Sequence, residues 1–145
     1  MNKKLLFSLL GLLFATIAHP SSYYGTWTLA GHPYVITEDS YVPSTLTLTI
    51  EPGVVVKFAA NTSLTVYGTL NAVGTESGTI TFTSLKDDIV GDTNGDEGAT
   101  SPAAGDWKMI KFSGSNAKGT ISYCDIGYAK SKMYQKIKEG LKGGG

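Results

Sequence analysis

Between Leu46 and Asp88 the chain repeats with a period of sixteen residues, and this constrains its fold more than any other feature. The rows read "LTLTIEPGVVVKFAAN", "TSLTVYGTLNAVGTES" and "GTITFTSLKDD". Leu48, Leu64 and Ile80 share one column, and Ile50, Val66 and Phe82 share another. Thr49, Thr65 and Thr81 stand between them, with Thr47, Ser63 and Thr79 just before. Further columns match Val54 with Leu70 and Val56 with Ala72. Apolar and hydroxyl residues alternating over four or five positions make a strand with one buried face. Gly53, Gly68, Gly74 and Gly78 fall between these runs, where the chain must turn.

A period near sixteen is too short for a helical hairpin repeat and fits a β-solenoid. Each turn of such a coil pairs its backbone with the turns above and below, about 4.8 Å away. The apolar columns then become interior stacks and the threonines an outer ladder. The alternation resumes in "WKMIKFSG", with Ile110 and Phe112, and in "GTISYCDIGYA", with Ile121 and Tyr123. The expectation is an all-β fold, a short parallel β-helix of four or five turns over 46–129. The intervening acidic stretch 86–106 is a loop inserted between turns. Insertions in repeat proteins leave the core and project from one face.

The ordered run "TLTIEPGVVVKF", "SLTVYGTLNAVGT", "ITFTSLKDD", "GDTNGDEG", "GDWKMIKF" and "ISYCDIGYA" resembles a region of secreted bacterial and archaeal right-handed parallel β-helix proteins, the surface and adhesin-like members of the pectin-lyase-like superfamily. The resemblance covers roughly Tyr34 to Ala129. It implies a right-handed β-helix, an extracellular location and a leading cap segment, here 19–45 with "GTWTLAGHPYVITEDSYV". Trp27, with Tyr23, Tyr24, Tyr34 and Tyr41, is expected to cover the first turn, and Trp107 to be a core or capping residue.

The two ends read differently. "MNKKLLFSLLGLLFATIAHPSS" has a secretory signal's pattern: Lys3 and Lys4, an apolar core from Leu5 to Ile17, and small residues Thr16 and Ala18 before a cleavage site. Residues 1–18 are therefore expected to be a signal peptide, and the apolar run is short for a membrane span. The localisation expected is secreted or cell-surface, with no transmembrane anchor after cleavage. After Ala129, "KSKMYQKIKEGLKGGG" loses the alternation. Met133, Ile137 and Leu141 recur every four residues, which predicts a short amphipathic helix over the lysine-rich tail 130–145, either a cap or the tail of a truncated chain. Cys124 is the sole cysteine and is expected to pack as a small half-hydrophobic side chain rather than to form a disulfide.

Function must be sought in "KDDIVGDTNGDEGATSPAAGDW", Lys86 to Trp107, which holds half of the chain's acidic residues. Asp92, Asn94 and Asp96 form a D-x-N-x-D triad whose alternating oxygens can converge on one hard cation, with Asp87 and Asp88 close enough to complete a site. Counted from Asp92, the sixth and twelfth positions are Glu97 and Ala103, so this is not an EF-hand. Ca2+ is the cofactor expected, against the alternative of a solvated loop stiffened by turns. Zinc is disfavoured, because His19 and His32 lie far in sequence from Cys124 and from this stretch.

Zero formal net charge gives no footprint for nucleic acid. The resembled superfamily includes lyases and hydrolases of acidic polysaccharides. Its lyases use an arginine base, and this chain has no arginine; nor does it have the G-H-G element of the hydrolases. Asp87, Asp88 and Asp106 could be cast as paired carboxylates, but so could those of any acidic loop. The reading is a structural or adhesive surface protein without catalysis of its own, with extracellular polysaccharide or cell-surface components as partners. The alternative is a carbohydrate-active enzyme or a carbohydrate-binding module.

Overall fold

The computed structural model describes residues 20–131 and the strand at 133–135; the segment expected to be a signal peptide and most of the tail lie outside these. Thirteen strands run along the described chain: β1 (Ser21–Ser22), β2 (Gly25–Trp27), β3 (Tyr34–Ile36), β4 (Ser40–Val42), β5 (Thr47–Ile50), β6 (Val55–Phe58), β7 (Ser63–Val66), β8 (Thr69–Val73), β9 (Ile80–Ser84), β10 (Met109–Phe112), β11 (Lys118–Ser122), β12 (Cys124–Ile126) and β13 (Met133–Gln135). They form three sheets, which we call A (β1-β4-β7-β10-β13), B (β2-β5-β8-β11) and C (β3-β6-β9-β12). Every pairing between these strands is parallel. The chain visits A, B and C in rotation, completing four circuits and beginning a fifth with β13. This three-sheet coil is compatible with the parallel β-helix expected from the alternation.

The stacking differs from the sixteen-residue alignment. Ser40 pairs with Leu64, Leu48 with Leu70 and Val56 with Phe82, steps of 24, 22 and 26 residues. One circuit therefore carries three strands spaced about eight residues apart, and sixteen residues span two of them. Leu48, Leu64 and Ile80, aligned by sequence, stand on sheets B, A and C. The neighbours above and below are instead Leu48 with Leu70, Ile50 with Ala72, Leu64 with Ile110 and Val66 with Phe112. The threonine ladder is likewise redistributed: Thr49, Thr65 and Thr81 lie on three faces, while Thr26, Thr49, Asn71 and Thr120 stack down sheet B.

The inward residues fill one continuous core, in which Ile36, Val42, Leu48, Val56, Phe58, Leu64, Val66, Leu70, Ala72, Ile80, Phe82, Trp107 and Ile110 are wholly buried. Burying a side chain of Val, Leu, Ile or Phe size stabilises by about 1.5–3 kcal/mol, so these stacks dominate the fold's energetics. At the A-to-B corner, Gly68 lies so close to the corner above that a Cβ would stand 2.0 Å from the Pro43 carbonyl oxygen, which no side chain tolerates.

The first circuit is closed by aromatic packing. Trp27 stacks on Tyr34 at 4.6 Å and meets Tyr23 edge-on at 5.1 Å. Tyr24 is instead exposed, and Tyr41, in β4 of sheet A, is half-buried and lies edge-on to Tyr67. At the other end β11 and β12 are the last strands of sheets B and C, and Ile121, Cys124 and Ile126 are only partly buried. Met133–Gln135 is not helical: it pairs with β10 as β13, because the backbone edge of β10 offers a full ladder there. Ile137 and Leu141 lie outside the described residues.

Sheet C connects to sheet A through 37–39 in the first circuit and 59–62 in the second. At the same corner of the third circuit, Ser84 and Met109 are separated by 85–108. The acidic stretch therefore hangs from one corner, and Leu64 still pairs with Ile110, 46 residues later.

Candidate metal centre

Sheet C positions the acidic loop. In β6, Val56 and Phe58 point into the core, so alternation turns Lys57 outward. Lys57 is nevertheless fully buried, as is its register partner Thr83 to within 1%. The loop folds back over them: Lys57 Nζ donates to the Gly91 carbonyl at 2.8 Å, and Thr83 Oγ1 donates to Asp87 Oδ2 at 2.6 Å. Burial pushes the Lys57 ammonium below the usual lysine range, and the negative charges of Asp87, Asp88 and Asp92 oppose that shift.

Asp92 and Asp96 organise the loop by accepting its backbone N–H groups. Asp92 Oδ1 accepts from Gly95 at 2.7 Å and Asp96 at 3.3 Å, and its Oδ2 accepts from Glu97 at 2.7 Å. Asp96 Oδ1 accepts from Gly98 at 2.9 Å; its Oδ2 accepts from the Thr100 N–H, the Thr100 hydroxyl and Asn94 Nδ2. The Thr100 hydroxyl is the main reason why the Asp96 carboxyl lies below its ordinary range: burial opposes, while the Gly98 and Thr100 N–H groups and Asn94 reinforce it. These local bonds replace the ladder that a strand would have used.

The outcome is a cluster of three carboxylates. Asp88, Asp92 and Asp96 each offer one oxygen, and the three oxygens lie within 4.8 Å of one another. Asp88 also approaches Gly98, where a Cβ would sit 3.4 Å from its Oδ2. It thus brings a carboxylate from the amino side of the triad, where an EF-hand would take one from its twelfth position. Asn94 sits beside the cluster: its Oδ1 accepts the Asp96 N–H at 3.1 Å and its Nδ2 donates to Asp96 and Thr100. Asp87 faces Thr83 and the Ile89 N–H, as a turn cap. Thr93 Oγ1, between Asp92 and Asn94 in sequence, is buried without a hydrogen-bond partner.

The donor set fits a hard cation. Carboxylate oxygens on a flexible loop are the ligands that Ca2+ takes, whereas Mg2+ demands a stricter octahedral geometry. Gly91, Gly95 and Gly98 all have positive φ, which gives the backbone its tight path around the cluster.

The loop closes on Asp106. Its Oδ2 accepts from Ser84 at 2.7 Å and from the Ala103 N–H at 3.0 Å, and Lys86 Nζ lies 3.5 Å from Oδ1. Burial raises the Asp106 carboxyl, but these two bonds and the Lys86 charge outweigh it, leaving the group below its ordinary range. Next in sequence, Trp107 is fully buried, stacks on Phe58 at 4.0 Å and donates through Nε1 to the Gly127 carbonyl at 2.8 Å. Ser84, Lys86, Asn94, Asp96, Thr100 and Asp106 line a cleft of about 300 Å3 between loop and coil.

Lys57, Thr100 and Gly91 escape a motif search. The signal for Lys57 lay in "VVVKF", where a single lysine interrupts an apolar strand at an outward position. Cys124 is partly buried, with Sγ 3.2 Å from the Ala72 carbonyl oxygen, and burial pushes its thiol up. Comparison with known proteins found no matching family model, no similar curated protein and no similar solved structure. The superfamily resemblance therefore rests on the ordered sequence run alone.

Proposed function

We propose that the chain is a secreted or cell-surface parallel β-helix, right-handed and of the pectin-lyase-like kind, with a structural or adhesive role and a calcium-stabilised display loop. Its coil supplies a rigid support, and its corner insertion presents the chemistry. Right-handed winding is the hand that parallel strands joined by crossovers overwhelmingly adopt. Among the described residues, no helix is long and apolar enough to cross a membrane.

The observation that carries the calcium reading is the convergence of Asp88, Asp92 and Asp96. Like charges this close repel, and a divalent cation relieves that repulsion. A ligand bound only by the native state raises its stability by about 2.7 kcal/mol at a concentration of one hundred times Kd. Titration with Ca2+ should therefore raise the melting temperature and slow proteolysis within 88–100. An unchanged melting temperature and cleavage rate in millimolar Ca2+ would sink the reading.

A second reading, carbohydrate recognition, is favoured by the cleft beside the loop, whose lining sets apolar surface from Ala60 and Leu85 beside the polar Lys86, Asn94, Asp96 and Asp106. Incubation with polygalacturonate and other glycans separates the possibilities. Product release above that of a loop-deleted variant would establish an enzyme, and saturable binding without product a binding module.

A further inference from the structure

We propose that Lys57 is a built-in counter-ion that fastens the acidic loop to sheet C without metal and restrains the carboxylate cluster's affinity for a cation. The fastening stands on Lys57 and the loop alone; the effect on cation uptake rests on the calcium reading above.

A strand lysine on an outward face ordinarily reaches solvent with its ammonium. Lys57 does not: every residue of β6 is buried, and the covering material is the loop itself. A buried ammonium must be paired and hydrogen-bonded to be tolerated. Its hydrogen-bond acceptor is the Gly91 carbonyl, and the carboxylates of Asp87, Asp88 and Asp92, beyond ion-pair distance, favour its charged form through space. The backbone is bent to make this contact. Val90 adopts φ +55° and Gly91 φ +103°, while the Gly91 N–H closes a turn onto the Asp88 carbonyl at 2.9 Å. A β-branched residue in the left-handed region is strained, and Val90 is exposed, so its own burial does not compensate. The Lys57 contact to the Gly91 carbonyl ties this bend to sheet C, while the Gly91 N–H closes it onto Asp88.

The same ammonium acts on the cluster with two opposite consequences. Without metal it neutralises part of the repulsion among the carboxylates and keeps the loop closed. Toward an entering cation it is a like charge and lowers affinity. A lysine that merely packed would not couple these effects with opposite signs.

The test is Lys57→Met in the full chain, with amide exchange of 88–100 followed in EDTA and Ca2+ affinity measured by calorimetry. Loop exchange without metal is expected to rise about tenfold, and Ca2+ to bind at least about fivefold more tightly. Lys57→Arg, which keeps the charge, should restore both values toward wild type. If Lys57→Met does not fold, Lys57→Gln carries the same two expectations while keeping a donor on the strand. Unchanged loop exchange overturns the fastening. Faster exchange with weaker Ca2+ binding overturns the restraint and leaves Lys57 a structural support. If the wild-type chain binds no Ca2+, the calcium reading fails, and the exchange measurement alone decides the fastening.

Discussion

Residues 63–84 and 85–106 are stretches of equal length that lie end to end, and they are held in place by different physics. The first makes one full circuit through β7, β8 and β9, with Leu64, Val66, Leu70, Ala72, Ile80 and Phe82 wholly buried. Its backbone is satisfied by the circuits above and below. The second has no strand and five Asp and one Glu, and as many of its bonded backbone N–H groups donate to its own carboxylates as to all other acceptors. A circuit is stable because of its neighbours, whereas the loop carries its own organisation and needs the coil only at a few anchors.

This contrast can be broken most forcefully in the core. Phe82→Ala removes a buried ring packed 6.5 Å from Phe58 and should cost about 3–5 kcal/mol, seen as a lower urea midpoint. Any Ca2+-induced increment in stability should survive it, because the loop's ligands are untouched. Loss of that increment would show that loop and coil are one cooperative unit.

Asp106 is where the two regions join, and Asp106→Asn should cost about 1–3 kcal/mol through the bonds to Ser84 and Ala103. The folded-state pKa is depressed, so the ionised carboxyl's contribution is complete above the unfolded value near 4 and is lost as pH falls through the folded value. Wild-type stability should decline on acidification below about pH 4. The asparagine variant should show a shallower decline; an identical acid profile would refute a stabilising role for this charge.

Asp92→Asn should sharpen the contrast from the other side. It weakens the acceptor for Gly95, Asp96 and Glu97 N–H groups and removes one carboxylate of the cluster. Proteolysis between 88 and 100 should accelerate several-fold, while global stability without metal changes by less than about 1 kcal/mol. A large global loss would mean that the loop is part of the folding core. The smallest effect is expected at the exposed pair Lys108–Asp39, 3.0 Å apart on the protein surface. Lys108→Ala should change the urea midpoint by no more than about 1 kcal/mol, less at high salt.

The sequence disclosed the strands better than their stacking. Alternation reports which face of a strand is buried, and it correctly marks Leu48, Ile50, Leu64, Val66, Ile80 and Phe82 as inward. It does not report which strand lies above which. Strands recurring about every eight residues match in rows of sixteen as readily as in rows of twenty-four, so the chain's self-similarity concealed a three-sided circuit. The strands before Leu46 were harder to see because they are short and Gly25 stands where later circuits place Leu48 and Leu70. At the acidic loop, spacing pointed to Asp92, Asn94 and Asp96 with Asp87 and Asp88 beside them; the turn from Asp88 to Gly91 brings Asp88 to the cluster, while Asp87 bonds Thr83 and the Ile89 N–H. Lys57 lies far away in sequence and joins only because the loop folds back across β6, which no local motif encodes.

The corner that carries the loop has a practical consequence. In the first three circuits the chain passes from sheet C to sheet A through 37–39, 59–62 and 85–108, and the strands that follow take up parallel register each time. Lengthening a flexible connection adds only about 0.6 kcal/mol of closure entropy per doubling. This corner is thus a natural grafting point: foreign peptides could be spliced between Leu85 and Asp106 with the surrounding scaffold acting as a clamp, provided that Ser84 and Trp107 remain to seal the two ends.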